Sequence, residues 1–422
     1  MAARRMGSNV RWTLLGNVVY AVGQWIQLVI FARLGGAAAV GAYAFTLALT
    51  APVMMLANLQ LRMLLASDAR GAYAFREYRR LRLATTLAAL LAVALIASLT
   101  ADGRGHWRVL VPVCAMRAAY EMGDVYYGLW QQHQRMRVIG VGLVLNTVSS
   151  LAFMALAAAL GGGAPGAAAG AALGACASFA FVHHRTAADA DLRRSVAAGA
   201  DHVEWRRIGR LALEGAPLGV IILLGSLQQN IPRYFIQAHS GEAALGLFAA
   251  ASQLTAAGTT VIGALGGAAT PRLARLCAAG QAGAFRALTR KLVAAAALLG
   301  LLGVALSALV GREVLVVLFR PEFGAAARVL VILSVGAGLG FVATLLGYAL
   351  TAARVIAVQP VTLAVALIAL VACCSILVPG QGAAGAAWAL VAASAVQAIC
   401  NAAALHRSRI EAGAPNPAVE VA

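Results

Sequence analysis

The chain has 422 residues, of which 62% are hydrophobic and only 11% charged, and its mean hydropathy is +0.83. A soluble domain carries roughly 25% charged residues, so the composition excludes a water-soluble globular protein and predicts a polytopic, all-helical membrane protein. The formal net charge of +18 raises nucleic acid as a partner, and the placement of the cations decides against it.

A helix needs about 20 apolar residues to cross a bilayer core. About twelve segments of that kind are predicted, at 12–33, 40–66, 84–100, 107–130, 138–160, 164–182, 211–237, 244–268, 292–310, 325–350, 355–378 and 382–405. Most of the Lys and Arg fall in alternate connections between them. These are Arg4, Arg5 and Arg11 before the first segment, the stretch from Arg70 to Arg82, Arg135 and Arg137, then 183–210, 272–291, Arg354, Arg407 and Arg409. Cytoplasmic loops collect Lys and Arg in this way, which predicts both termini on the cytoplasmic side of the membrane and basic loops lying against anionic lipid headgroups. Nucleic acid is not an expected partner.

The first segment is too long, and too interrupted by Asn17, Gln24 and Gln27, to read as a cleavable signal. Asn17, Tyr20, Gln24 and Gln27 recur at helical spacing and form a polar stripe suited to hydrogen bonding, either with a ligand or across a helix interface. Arg62, near the inner end of the second segment, is expected to snorkel to the interface. The fourth segment places Arg117, Glu121, Asp124, Gly128 and Gln131 on one helix face. Such a stripe belongs inside the bundle: either Arg117 and Glu121 pair at i, i+4 and merely satisfy each other, or the charges serve function.

Gly162, Gly166, Gly170 and Gly174 recur every four residues, a ridge that allows close helix approach. His183 and His184 lack spaced partners and read as loop residues, not metal ligands, and the six cysteines show no metal or disulfide framework. The longest break, 183–210, divides the chain into a six-helix lobe at 1–182, a cytoplasmic interlobe loop, a second six-helix lobe at 211–405 and a cytoplasmic tail at 406–422. In the seventh segment Ser226, Gln229, Arg233 and Gln237 lie nearly on one face, beside Pro232. Polar groups there cannot face lipid.

The halves repeat. Residues 36–43 match 241–248, Ala74-Phe75-Arg76 recurs as Ala284-Phe285-Arg286, and Gly170-Ala171-Ala172 as Gly385-Ala386-Ala387, with offsets that grow in order. An even number of spans per half makes the repeats parallel, two six-helix bundles around a central cavity that rocking opens to either face. Aligning Gly128 and Arg135 with Gly347 and Arg354 makes Gly336, Gly340 and Ala343 the counterparts of Arg117, Glu121 and Asp124. A structural requirement shared by both lobes would leave charge in both, so the charges are the better functional candidates.

The run from Leu34-Gly35-Gly36 to Thr46 resembles bacterial polysaccharide and O-antigen-unit flippases of the multidrug/oligosaccharidyl-lipid/polysaccharide exporter superfamily. So do 126–137, Phe319-Arg320-Pro321-Glu322-Phe323 and 382–388. The resemblance implies a MATE-like fold and movement of a polyprenyl-pyrophosphate-linked oligosaccharide from the inner to the outer leaflet of the bacterial cytoplasmic membrane, for surface polysaccharide or lipopolysaccharide synthesis. The lipid II flippases of the superfamily usually have fourteen helices, which disfavours that assignment. On this reading Arg117 and Arg233 engage the pyrophosphate, because guanidinium offers paired donors to phosphate oxygens. Asn17, Gln24, Gln27, Gln229 and Gln237 line the saccharide path, and Glu121 or Asp124 couples transport to protons or sodium. No cofactor, resident metal or catalytic residue is expected, and the partners are the lipid-linked oligosaccharide, membrane lipids and other polysaccharide assembly proteins.

Two other readings are a cation-coupled multidrug exporter of the same superfamily and a membrane polymerase or glycosyltransferase. The outer connections around 101–106 and 311–324 are too short for the catalytic domain the latter usually carries. No Walker-type loop is present to drive transport directly with ATP.

Overall fold

The computed structural model describes residues 2–68, 70–197 and 204–407. The last fifteen residues of the expected tail, and 198–203 of the expected interlobe loop, lie outside these. Among the described residues the structure is helical, with no strand.

In chain order the helices are α1 (Ala2–Asn58), α2 (Leu61–Ser67), α3 (Phe75–Leu99), α4 (Ala101–Gly105), α5 (Trp107–Gln132), α6 (Met136–Ala159), α7 (Gly163–Ala188) and α8 (Ala190–Ala197). There follow α9 (Trp205–Ala278), α10 (Ala282–Leu318), a 3-10 turn at Pro321–Ala326, α11 (Ala327–Ala352) and α12 (Val358–Arg407). Every predicted segment falls mostly on helical backbone. Among the described residues eight helical stretches are long and apolar enough to cross a membrane, and α5, weighed down by its charges, is not one of them. Three of the eight, 50 or more residues long, are broken at a glycine: Gly36, Gly241 and Gly382.

The chain forms two compact units, Met1–Asn230 and Ile231–Ala422. In the first, α6 packs along α1 and α7, and α5 along α7. Glycine explains the closeness of α6 and α7, as the ridge predicts. A Cβ on Gly170 would lie 2.6 Å from the Met154 nitrogen, and one on Gly174 2.3 Å from the Ser150 Cα. The serines then bond across the gap: Ser150 Oγ donates to the Ala171 carbonyl at 3.2 Å and Ser178 Oγ to that of Gly142 at 2.9 Å. In the second unit α11 packs on α10 and α12, and Gly300 meets Gly338 with similar intimacy.

The outer faces are apolar at helical spacing. Leu87, Leu91, Leu95 and Leu99 of α3 are exposed while Ala89, Val93 and Ala97 on its other side are buried. In water such a face would be costly. Against lipid it is the expected solvent-facing surface.

Three expectations are corrected. The second predicted span is not continuous, because Leu59 and Gln60 have φ of 48° and 51° and turn the chain between α1 and α2. The stretch 183–210 is largely helical, so His183 and His184 lie exposed on α7 instead of in a loop. Its charges anchor it: Arg135 pairs with Asp189 and Asp191, and Arg207 with Glu77 at 2.8 Å; just beyond it Glu214 accepts from Tyr73 at 2.6 Å. That hydrogen bond holds the Tyr73 phenol above its ordinary pKa.

The third correction concerns the repeat, which the backbone supports. Gly36 (φ 65°, ψ −157°) and Gly241 (φ 77°, ψ −178°) adopt the same conformation, one open essentially to glycine alone. Phe75 and Phe285 are both buried at the starts of α3 and α10. The turn after α5, where the nitrogens of Gln134 and Arg135 bond the Gln131 and Trp130 carbonyls, recurs after α11 with Arg354 and Val355 bonding Thr351 and Leu350. Gln134 and Arg354 share positive φ. The register is therefore 220, one more than Gly128 with Gly347 implies. The counterparts of Arg117, Glu121 and Asp124 become Ala337, Phe341 and Thr344, still without charge.

Candidate functional site

A cavity of about 700 Å³ opens within the first unit, between α1, α2 and the facing surfaces of α5, α6 and α7. Its position follows from two local features. The turn at Leu59–Gln60, braced by the Gln60 amide on Asn58 Oδ1 at 3.2 Å, swings α2 across α5. Gly128 admits it: a Cβ there would lie 3.2 Å from both the Cα and the carbonyl oxygen of Arg62. Non-glycine residues at positive φ are uncommon, and two in succession beside a polar cavity mark a place where conformation is held against local preference.

The predicted α5 stripe faces this cavity, and Arg117, Glu121, Asp124 and Gln131 all line it. Their partners are not the ones sequence spacing suggested. Glu121 does not pair with Arg117. It accepts from Arg82 Nη1 at 2.8 Å and from Asn58 Nδ2 at 2.7 Å. Asp124 lies 3.2 Å from Arg62 Nη1 and 3.6 Å from Arg82 Nη2. Arg62 also donates from Nε to Gln131 Oε1 at 3.2 Å and lies over the Tyr127 ring, 5.6 Å from its centroid. Arg62 therefore turns inward, contrary to the expected snorkel. The acid on the neighbouring helix outcompetes the interface.

Arg82 is the residue sequence reasoning missed. It was counted in the basic stretch from Arg70 to Arg82, yet its side chain is 0% exposed. The signal was its face: Tyr78, Arg82, Thr86, Ala89 and Val93 form the buried stripe of α3 at spacings of four and three. An arginine on that stripe must meet an acid inside the bundle.

These pairs leave one cation over. Two arginines, Arg62 and Arg82, balance the two carboxylates, and Arg117 makes no ion pair among the described residues; its Nε is buried without a hydrogen-bond partner there. Around it the cavity presents hydrogen-bonding groups with no formal charge: Asn17 and Tyr20 of α1, Tyr120 of α5, Asn146 of α6 and Ser178 of α7. Tyr20 and Tyr120 meet edge to face with centroids 6.4 Å apart. The chamber, which Arg62, Glu121, Asp124 and apolar side chains also line, offers Arg117 and these uncharged polar groups to an anion carrying hydroxyls.

The other candidates scatter. Asn17 lines the cavity, whereas Gln24 is half-buried and Gln27 buried on α1 outside its lining. Gln229 is exposed in the first unit. Arg233, half-buried, and Gln237, buried, belong to the second. No cluster of metal-ligating side chains occurs among the described residues, and the six cysteines are free.

Comparison with known proteins places this geometry in a family. Residues 6–277 match the family model described as polysaccharide biosynthesis protein, and the chain belongs to that family. It is 24% identical over 331 residues to the capsular polysaccharide biosynthesis protein CapF of Staphylococcus aureus, a match covering 78% of this chain and 82% of CapF. The fold is that of the MATE transporters and their superfamily. An inward-facing multidrug resistance MATE family transporter superposes with a TM-score of 0.72 at 16% identity, covering 94% and 96% of the two chains. The lipid II flippase MurJ in an inward closed conformation gives 0.71 at 10% identity, covering 92% of this chain and 86% of MurJ.

Proposed function

We propose that this chain is a flippase that carries a polyprenyl-pyrophosphate-linked oligosaccharide from the inner to the outer leaflet of the bacterial cytoplasmic membrane by alternating access, as a transporter and not as an enzyme. The observation that carries the proposal is Arg117, which makes no ion pair among the described residues, in a cavity that also presents the amides and hydroxyls of Asn17, Tyr20, Tyr120, Asn146 and Ser178. A pyrophosphate is the charged part of such a substrate, and a sugar offers many donors and acceptors with little charge. Membership of a polysaccharide biosynthesis family supports the substrate class.

In this scheme Arg117 receives the headgroup, with Arg233 a second guanidinium for it, while Asn17, Gln24, Gln27, Gln229 and Gln237 serve the saccharide. Proton or sodium coupling runs through Glu121 or Asp124. Asp124 is the better placed of the two, because its side chain is 25% exposed and shared between two arginines, one of them partly exposed. Release from Arg62 would free it to take up a cation. Both termini lie in the cytoplasm, as the distribution of Lys and Arg supports.

Binding of undecaprenyl diphosphate to the purified protein tests the headgroup role. Wild type should bind it and Arg117→Ala should bind at least about tenfold more weakly, a difference of roughly 1.4 kcal/mol. Equal affinity would remove Arg117 from the site.

The multidrug exporter has one observation in its favour, the acidic pair in the cavity of a MATE-like fold. Against it, both carboxylates are already engaged by arginines. Cationic dyes should therefore bind no better to wild type than to a variant carrying Glu121→Gln and Asp124→Asn. Dye binding that the double variant abolishes would favour the exporter.

A further inference from the structure

The chamber of the first unit holds two ion pairs of different build. Arg82 is 0% exposed and meets Glu121 at 2.8 Å, and Glu121 is held a second time by Asn58 Nδ2 at 2.7 Å. Arg62 is 37% exposed and meets Asp124 through one nitrogen, Nη1, at 3.2 Å. Its other contacts are the Gln131 amide oxygen, bonded by Nε, and the Tyr127 ring. Its Nη2 donates to nothing among the described residues. Burial fixes the first pair, since parting it would strand both charges away from water. The second is weakened by solvent and open to a competitor.

An anion drawn by Arg117 is such a competitor, because Arg117 lines the same cavity from the same helix as Asp124. The α2 backbone need not move to meet it. That backbone is packed at Gly128, where an added Cβ would lie 3.2 Å from the Arg62 Cα, whereas the guanidinium ends a long side chain that reorients by itself. Phosphate offers guanidinium two parallel, charge-assisted hydrogen bonds, where Asp124 takes one. A diphosphate has one phosphate for Arg117 and another for Arg62.

Counting charges gives the consequence. With Arg62 turned to phosphate, Arg82 stands alone between Glu121 at 2.8 Å and Asp124 at 3.6 Å, one cation for two carboxylates. The other ionisable groups around the chamber are the phenols of Tyr20 on α1 and of Tyr120 and Tyr127 on α5, and α6 and α7 contribute none to its lining. Arg117 is engaged by the diphosphate. One negative charge is left unbalanced inside the membrane, which is costly unless a cation joins it.

We propose that Arg62 is a switch shared between Asp124 and the diphosphate of the substrate, so that the headgroup binds together with one monovalent cation, a proton or a sodium ion, taken up at Asp124. The identity of the anion rests on the flippase reading. The switch adds to that reading a second headgroup ligand, a stoichiometry and a sign: headgroup and cation strengthen each other's binding by the same factor.

Inorganic pyrophosphate is the probe, titrated calorimetrically into the full-length protein in detergent over a range of pH and of sodium concentration. Asp124→Asn is the reference that cancels the protonation of pyrophosphate itself. Relative to it, wild-type affinity should rise by up to tenfold for each tenfold increase in the coupled cation, the slope for one cation per anion. If the cation is a proton, affinity gains as pH falls and ignores sodium, and infrared difference spectra show a carboxyl protonated on binding that Asp124→Asn removes and Glu121→Gln retains. If it is sodium, affinity follows sodium at fixed pH and no carboxyl is protonated.

Arg62→Ala should bind roughly tenfold more weakly and lose the linkage. Arg62→Lys should keep the linkage at reduced affinity, because it retains the charge and not the planar fork. A linkage that survives in Arg62→Ala overturns the switch, as does a wild type that binds no pyrophosphate or binds it with the cation dependence of Asp124→Asn. Leaflet exchange of undecaprenyl diphosphate by a protein whose pyrophosphate binding ignores both cations sinks the switch and leaves the flippase reading standing. Linked pyrophosphate binding by a protein that moves no undecaprenyl diphosphate does the reverse.

Discussion

Replacing Arg82 with methionine should destabilise the first unit far more than a cytoplasmic-surface arginine would. The side chain is 0% exposed and is the shared cation of Glu121, at 2.8 Å, and Asp124, at 3.6 Å. Removing one partner of a buried ion pair typically costs about 3–5 kcal/mol, because the remaining charge is stranded away from water. Here both acids keep a second partner, Asn58 for Glu121 and Arg62 for Asp124, which sets the expectation near the lower end, about 3 kcal/mol, or roughly two powers of ten in the folded fraction. Unfolding of purified protein in detergent, followed by tryptophan fluorescence, measures it. Glu121→Gln in the same chain removes the stranded charge, so the Arg82→Met, Glu121→Gln pair should recover about half of the loss as a coupling energy. A single variant within about 0.5 kcal/mol of wild type, the range for ordinary surface substitutions, would refute the buried network, as would a double variant no better than the single.

Arg62→Ala should cost under about 1 kcal/mol by the same assay, since its side chain is 37% exposed and its pair with Asp124 is partly screened; a loss as large as that of Arg82 would show that the two arginines share the burden equally. Gly128→Val should cost about 1–3 kcal/mol by forcing α2 away from α5, where a Cβ already meets Arg62 backbone at 3.2 Å, and a neutral result would mean that α2 is free to shift. Gly36→Ala and Gly241→Ala should each cost about 1–3 kcal/mol, because both positions hold a glycine-only conformation; strongly unequal losses would argue that the two breaks are not equivalent.

How much of this was legible in the sequence depended on range. The α5 stripe was legible because helical spacing alone puts Arg117, Glu121 and Asp124 on one face. Their partners were not, since Arg62 and Arg82 reach them from other helices, and a basic stretch after a span reads by topology as cytoplasmic before it reads by face. The turn at Leu59–Gln60 carries neither glycine nor proline, so nothing local announces it; tertiary contacts with α5 impose it. The repeat was visible through Gly36 and Gly241, whose glycines the backbone demands. Its register near α5 and α11 slipped by one because Ala- and Gly-rich helices align almost equally well at neighbouring offsets. The polar stripe of α1 was legible as a stripe, but of its members only Asn17 and Tyr20 line the cavity.

The central claim is that Arg117 is the unpaired charge around which an anionic, sugar-bearing lipid is moved. Vesicles containing wild type or Arg117→Ala, checked for equal thermal stability, are loaded with undecaprenyl diphospho-N-acetylglucosamine, and its leaflet exchange is followed under a proton or a sodium gradient. The account predicts exchange by wild type and its loss, by about tenfold or more, in Arg117→Ala. Exchange at the same rate in both would contradict it.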